Sequence, residues 1–449
     1  MGVEHDGFNS YSFSMMPAVY LKTFGCKLNQ TESESIAQDF REEGYRVVSE
    51  MKHADVVVIN SCTVTHRTDA KCRRSIRHVI QVNPDATVII VGCYAQVDSE
   101  TIAKIPGVDY VLGTYQKSRL FDYFPRIGKL SHPQITVTPV KQLRKTRGHR
   151  IEHFDQTRAF LKIQDGCSDC CSYCIVPFAR GPSRSVPLEE VIEQAERLVA
   201  NGYREIVLTG VHIGRYGQDF SPCLSLSRLL VRLLNVQGIQ RIRLTSLDPG
   251  DITDELLEVV SREERCCRHF HIPLQSGSDT ILSAMRRKYT TSMFQKKIEK
   301  IQAVIGHFGL GMDVIVGFPG ETERLFNETV RFIDTLPLSY LHVFPFSVRE
   351  GTDAAHLPDH SSPFIRAERA RQLRDLGQRK RIQFMKKWVG QSVNVLFETR
   401  NQMGWMGGFS SEYLRVEIPY QEKLINQWVS VKIQDVMHSS VRGKAVGIN

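Results

Sequence analysis

The stretch Phe160-Leu161-Lys162-Ile163-Gln164-Asp165-Gly166-Cys167-Ser168-Asp169-Cys170-Cys171-Ser172-Tyr173-Cys174 sets four cysteines within eight residues, directly after an apolar run that reads as a β-strand. Two metal chemistries suit it. Paired as Cys167/Cys170 and Cys171/Cys174, the thiolates make two C-x-x-C units for zinc. Those units abut, whereas zinc ribbons and knuckles separate their halves by about fifteen residues so that the chain can wrap the ion. Taken as Cys167, Cys171 and Cys174, they make C-x-x-x-C-x-x-C, three thiolates for an iron–sulfur cubane that keeps one iron open.

Downstream of this stretch, strands and helices alternate. Candidate strands are Phe160–Gln164, Glu205–Gly210, Arg241–Ser246, His269–Leu274, Gly311–Gly317 and Leu341–Phe346. Between the first two, Leu188, Val191, Ile192, Ala195, Leu198 and Val199 form one apolar helix face, opened by Pro187 and closed by Gly202. Six such units are too few for a closed eight-strand barrel, so a partial (β/α)6 barrel, open on one side, is expected. Upstream, strands Ala18–Phe24, Asp55–Ile59 and Thr87–Val91 alternate with helices Gln30–Glu43 and Thr68–Val82, the pattern of a parallel α/β sheet. Cys26, Cys62 and Cys93 each follow one of these strands, at the carboxyl edge where open sheets bind ligands.

The segment Arg126–Arg150 has seven Lys or Arg and no acid, and reads as a basic linker. Arg366–Lys387 reads as a helix with nine basic and two acidic residues. After Trp388, the runs Ser392–Phe397, Tyr413–Val416 and Trp428–Ile433, punctuated by Gly407, Gly408 and Gly447, predict a small β-barrel. The expected division is an extension at 1–17, an α/β domain at 18–125, the linker at 126–150, a core with its basic helix at 151–388, and the β-barrel at 389–449. The fold class is α/β.

Composition agrees with a folded, multidomain chain. The 449 residues carry 58 basic and 49 acidic side chains, a net charge of +9, with 41% hydrophobic residues, which excludes a disordered or collagen-like chain. No apolar run reaches the 18 or more residues of a membrane span, and the first sixteen residues lack the basic start and apolar stretch of a signal peptide. Eleven cysteines, an odd number, point to metal or redox chemistry in a reducing compartment, so the expected location is cytoplasmic, away from membranes.

At Cys167, Cys171 and Cys174 the sequence resembles the radical S-adenosylmethionine superfamily. Gln164-Asp165-Gly166-Cys167 and Cys174-Ile175-Val176-Pro177-Phe178-Ala179-Arg180-Gly181, followed by Arg184-Ser185, resemble its methylthiotransferases, and the likeness runs from Ala18 onward. Met15 or Met16 is therefore a candidate start as well as Met1. The resemblance implies that the three cysteines hold a 4Fe-4S cluster whose open iron chelates S-adenosylmethionine, which an electron cleaves to a radical. Cys170 departs from the family's usual residue and is expected not to be a ligand. The resemblance also implies that Cys26, Cys62 and Cys93 carry a second, auxiliary 4Fe-4S cluster that holds the methylthio group. They stand in Gly25-Cys26-Lys27-Leu28-Asn29, Asn60-Ser61-Cys62-Thr63 and Gly92-Cys93-Tyr94-Ala95. Cys72, Cys223, Cys266 and Cys267 are expected to be buried structural thiols. By the same likeness, Thr209 and Gly210 meet the methionine end of the cofactor, Ser246 and Gln275 add polar contacts, and Tyr173 and Phe344 flank its adenine. His212, His269 and His271 receive no role, since a histidine in a strand is most often structural.

The basic linker, the basic helix, and Arg67, Lys71, Arg73, Arg74 and Arg77 form an electrostatic footprint for a polyanion. The terminal β-barrel resembles the TRAM domain, an RNA-binding module, with Trp405, Phe409 and Tyr413 as candidates for stacking on bases. Within the family, Gly25-Cys26-Lys27-Leu28-Asn29 resembles enzymes that methylthiolate carbon 2 of N6-threonylcarbamoyladenosine at position 37 of tRNA. The isopentenyladenosine branch usually has Gln-Met where Lys27 and Leu28 stand, and the branch that modifies a ribosomal-protein aspartate also differs there. The likeness implies two S-adenosylmethionines per turnover, a tRNA anticodon stem-loop as substrate and an electron donor. A zinc-stabilised, non-catalytic RNA-binding protein is the alternative of another class.

Overall fold

The computed structural model describes residues 16–125, 127–154, 156–402 and 404–446. Most of the expected extension, together with Met15, Arg126 and Gly447, lies outside the described residues.

The amino-terminal unit is a six-stranded parallel sheet. Its elements are β1 (Ala18–Thr23), α1 (Lys27–Glu42), β2 (Arg46–Val47), β3 (Val56–Ser61), α2 (His66–Val82), β4 (Thr87–Gly92), α3 (Cys93–Val97), α4 (Ser99–Ala103), β5 (Tyr110–Leu112) and β6 (Gln134–Thr136), with strand order β2-β1-β3-β4-β5-β6. The run Val56-Val57-Val58-Ile59 is apolar on both faces because both are covered. Val57 and Ile59 meet Ile76 and Val79 of α2, while Val56 and Val58 meet Ile36 and Phe40 of α1. Helix α2 starts before Thr68, because the Thr65 hydroxyl accepts from the Thr68 N–H at 3.2 Å and caps it.

The segment read as a linker contributes β6, paired with β5 at Tyr110↔Gln134. The cause is Asp109, whose buried carboxylate accepts from the N–H groups of Val88 and Leu130 and from Lys129 Nζ at 2.7 to 2.8 Å. A buried charge must be satisfied, and meeting it draws the chain back along the sheet edge.

The central unit holds β7 (Ala159–Lys162), β8 (Gln164–Asp165), α5 (Val176–Arg180), β9 (Arg184–Ser185), α6 (Leu188–Ala200), β10 (Glu205–Thr209), α7 (Leu226–Leu234), β11 (Arg241–Leu244), α8 (Asp254–Arg262), β12 (His269–His271), α9 (Asp279–Ala284), α10 (Thr291–Ile305), β13 (Gly309–Val316), α11 (Glu323–Thr335), β14 (Tyr340–Pro345) and α12 (Pro363–Lys386). Parallel ladders join β7-β10-β11 and β12-β13-β14, and the bridges Ile242↔Cys266 and Ser246↔His271 connect these halves. The result is a six-stranded partial barrel; among the described residues no ladder closes β14 onto β7. Of the cysteines expected to be buried, Cys72, Cys266 and Cys267 are, whereas Cys223 is exposed in the loop before α7, where its thiol faces the Gln218 carbonyl at 3.5 Å.

The carboxyl-terminal unit is a closed five-stranded barrel of β15 (Ser392–Gln402), β16 (Trp405–Phe409), β17 (Arg415–Pro419), β18 (Trp428–Val436) and β19 (Val441–Ala445). Its β16–β17 loop inserts into the partial barrel. Arg243, buried and paired with Glu205 at 2.7 Å, donates to the carbonyls of Ser410 and Ser411, and Arg241 donates to the Phe409 carbonyl. Gly309 makes room, since a Cβ there would lie 1.9 Å from the Glu412 carbonyl oxygen. Gly309→Val is therefore expected to unseat the loop, destabilise the chain by roughly 1–3 kcal/mol, and speed proteolytic release of the terminal barrel. An unchanged denaturation midpoint and digestion pattern would show that the loop is not seated there.

Candidate functional site

The β8–β9 hairpin presents the cysteine loop at the carboxyl ends of the barrel strands. Gly166 makes the turn at φ +70°, and a Cβ there would lie 2.0 Å from the Pro182 carbonyl oxygen. Burial raises the pKa of Cys171 and pushes Cys174 up to about 12, and the nearby Cys167 sulfur opposes the ionisation of both. These two sulfurs stay protonated at neutral pH until a metal displaces the proton, and three thiols on one loop suit a thiophilic cluster. Cys170 is exposed, with its sulfur 3.9 Å from the Ser168 carbonyl oxygen.

Two partners of this loop carry no sequence signal. Arg287 Nη1 donates to Cys171 Sγ at 3.3 Å while its other nitrogen holds Asp248 at 2.6 Å. It lies 116 positions away in the chain, and only the fold joins the two. His212 Nδ1 lies 3.8 Å from Cys167 Sγ and 3.1 Å from Asp169, with Nε2 at 2.5 Å from Asp251. Burial opposes its charge, but the two carboxylates outweigh that and push its pKa up to about 12. The imidazolium therefore stands beside a sulfur, although strand position alone assigned this histidine no role.

Cys26, Cys62 and Cys93 meet at the carboxyl edge of β1, β3 and β4. Cys26 is the exposed N-cap of α1, and Cys62 and Cys93 are buried. Burial and the adjacent Cys93 push Cys62 up to about 12, and burial also raises Cys93. Gly25, at φ +103°, leaves a cradle over Cys62: a Cβ there would stand 2.8 Å from its sulfur. Both the cradle and the donor set fit a cluster held by three thiolates.

Beside this trio lies a buried cluster of charge. Arg180 donates to Asp165 and to both oxygens of Glu32 at 2.9 Å, and to Asn29 at 2.6 Å. Lys117 and Lys162 also reach Glu32, and Lys162 and Arg184 reach Asp165. Burial alone would raise the Glu32 pKa, yet Arg180, Lys117 and Lys162 hold it well below the carboxylate range. Four cations thus face two carboxylates, and Arg180 and Lys117 both act on Cys93, favouring its thiolate. Glu32, Asn29 and Lys117 belong to the amino-terminal unit, and the other members to the core.

At the junction of the three units a cavity of about 610 Å³ opens, and of the two sets of thiols Cys26 reaches its wall. Cys26 and Lys27 form one part of its wall; Thr209, Gly210 and Ser246 at the ends of β10 and β11 form another. Phe344 and the Asp313–His271–His342 group face them, with Asp313 3.0 Å from each histidine. Tyr173 and Gln275 are not among the lining residues. Tyr173 packs with Ile281, Met285 and Phe318, while Gln275 sits at φ +64° with its N–H on the Asp313 carbonyl at 2.8 Å. Phe409 and Tyr413, expected as residues that stack on RNA bases, also line the cavity. They stack at 4.5 Å, and Tyr413 stacks on His269 at 4.6 Å, because the inserted loop carries them into the core. Trp405 instead lies under Arg442, 3.8 Å from the ring centre.

Comparison with known proteins bears on this arrangement. The model described as uncharacterized protein family UPF0004 matches residues 18–113, and that of the radical SAM superfamily matches residues 161–333. The threonylcarbamoyladenosine tRNA methylthiotransferase MtaB of Bacillus subtilis is 40% identical over 93% of this chain and 94% of its own. Its namesake from Aquifex aeolicus is 38% identical over 86% and 94%. The tRNA-2-methylthio-N(6)-dimethylallyladenosine synthase of Methylacidiphilum infernorum is 35% identical over 93% and 92%. Among solved structures, the radical S-adenosylmethionine methyltransferase TsrM of Kitasatospora setae matches with a TM-score of 0.56 at 14% identity, over 88% of this chain and 81% of that one, a likeness of fold.

The charge cluster yields a direct test. Glu32→Gln leaves four buried cations with one carboxylate, and breaking a buried ion pair in this way costs about 3–5 kcal/mol. A lower denaturation midpoint of the metal-free chain is expected, together with less iron retained after reconstitution. An unchanged midpoint would mean that the cluster does not hold the two units together.

Proposed function

Since the chain belongs to the radical S-adenosylmethionine methylthiotransferases, a family of transferases acting on tRNA with 4Fe-4S clusters and S-adenosylmethionine, we propose that it converts N6-threonylcarbamoyladenosine beside the anticodon to its 2-methylthio derivative. The observation that carries the reading is the single cavity into which Cys26 and the strand-end residues Thr209, Gly210 and Ser246 all open. Cys167, Cys171 and Cys174 hold one cluster, and Cys26, Cys62 and Cys93 hold the other. When bound, these groups supply a one-electron cleavage of S-adenosylmethionine on one side of the cavity and a sulfur source on the other; a second S-adenosylmethionine supplies the methyl group.

The protein's own residues do the rest. Thr209, Gly210 and Ser246 bind the cofactor at the strand ends, and Phe344 lies against its adenine. Phe409 and Tyr413 close the cavity floor and restrict water. The target base leaves the anticodon loop to enter, as chemistry on a base requires. The exposed Arg67, Lys71, Arg74 and Arg77 on α2 offer a basic ridge to the stem phosphates. No helix among the described residues is long and apolar enough to cross a membrane. We place the action in the cytoplasm, the reducing compartment that eleven free cysteines require, with an electron donor as partner.

The test is mass spectrometry of nucleosides from tRNA of a host lacking these enzymes, before and after expression of this chain. A methylthio increment on threonylcarbamoyladenosine is expected, and Cys26→Ala or Cys171→Ala should abolish it. An increment on isopentenyladenosine instead would overturn the substrate, and no increment on any nucleoside would overturn the activity.

A further inference from the structure

The proposed substrate and its isopentenyl counterpart differ at N6 of adenine, where one bears a carboxylate and the other only hydrocarbon. Lys27 bears on that difference. It is the first residue of α1, it follows Cys26 directly, and its side chain lines the cavity. Among the described residues no carboxylate forms an ion pair with it, and its side chain is half-buried. The neighbouring cations are already engaged: Arg158 with Glu398 at 3.2 Å, Arg243 with Glu205 at 2.7 Å, and Arg415 with Glu398 at 2.8 Å. Arg374 and Arg381, which also line the cavity, have no carboxylate partner among the described residues either but donate to the carbonyls of Val343 at 3.5 Å and Ser439 at 2.5 Å. The only carboxylate among the described lining residues is Asp313, taken up by His271 and His342. The wall therefore presents a half-buried ammonium that lacks an anion.

Resting on the reading above, we propose that Lys27 pairs with the carboxylate of the threonylcarbamoyl group and so selects a charged over an apolar N6 substituent. The chemistry of adenine makes the pairing reachable. C2 and C6 flank N1, so a base that turns C2 toward Cys26 carries its N6 substituent along the same edge. An incoming carboxylate relieves the ammonium through a charge-assisted hydrogen bond. A hydrocarbon chain would cover the ammonium and leave it unpaired, so the lysine favours one substrate and penalises the other.

A binding cycle tests this without turnover. Two anticodon stem-loops are compared, one with threonylcarbamoyladenosine and one with the methyl ester of its carboxylate, each titrated against reconstituted wild-type, K27Q and K27R protein of equal iron content. Esterification is expected to weaken wild-type binding roughly 10- to 100-fold. K27Q should bind the acid about as poorly as wild type binds the ester and be indifferent to esterification, while K27R should restore the preference. Equal binding of the acid by wild type and K27Q, or the same ester penalty in both, would overturn the inference. The nucleoside assay separates the two failures: a threonylcarbamoyl product with a flat cycle sinks only the role of Lys27, whereas an isopentenyl product sinks the substrate reading and this inference with it.

Discussion

Glu32, Asp165 and the four cations around them are all withdrawn from water, and each can be so only because the others are. The cost of burying a lone charge far exceeds what most single contacts return, so such groups must meet in one arrangement. That arrangement positions the amino-terminal sheet on the barrel. Arg180 closes the short helix after the cysteine loop, while Glu32 and Asn29 lie within the first two turns after Cys26. Their contact therefore sets the edge carrying Cys26, Cys62 and Cys93 over the mouth that carries Cys167, Cys171 and Cys174. A second buried contact fixes the rotation: Arg349, beyond the last core strand, donates to Asp69 and to the Thr63 hydroxyl at 2.6 Å.

The excess of positive charge in this cluster also suits what it adjoins. An iron–sulfur core held by three thiolates would be an anion, and Arg180 and Lys117 already favour the ionised form of Cys93. One set of ions thus serves both assembly and electrostatics. On the other trio, Arg287 and His212 do the corresponding work from distant parts of the chain.

The terminal barrel turns out to be a wall of the site as well as an appended module. Its inserted loop satisfies Arg241 and Arg243, which would otherwise face the barrel interior with only Glu205 as counter-ion. The same loop stacks Tyr413 on His269 and Phe409 on Tyr413, so two of the aromatic residues expected to stack on RNA bases border the cavity. The basic helix α12 behaves alike: Arg374 and Arg381 look into the cavity, while Arg371 pairs in solvent with Glu368 and Asp375.

Much of this was legible in the residues. Strand and helix periods depend on local burial alone, so the valine-rich β3, the six core strands and the alternating runs of the last sixty residues declared themselves. The two cysteine sets did so too, one by spacing within eight residues and one by repeated position after strands. Local pattern could not reveal β6, whose place depends on a buried Asp109 that must be satisfied. Nor could it reveal the partnership of Glu32 with Arg180, which are 148 positions apart. Lys27 was visible as a residue type beside Cys26, but its lack of a counter-ion is a property of the assembled wall. Sequence determined which groups the chain owns and the period on which they fall; tertiary structure alone decided which charges meet and which is left unpaired, because electrostatic compensation acts through space.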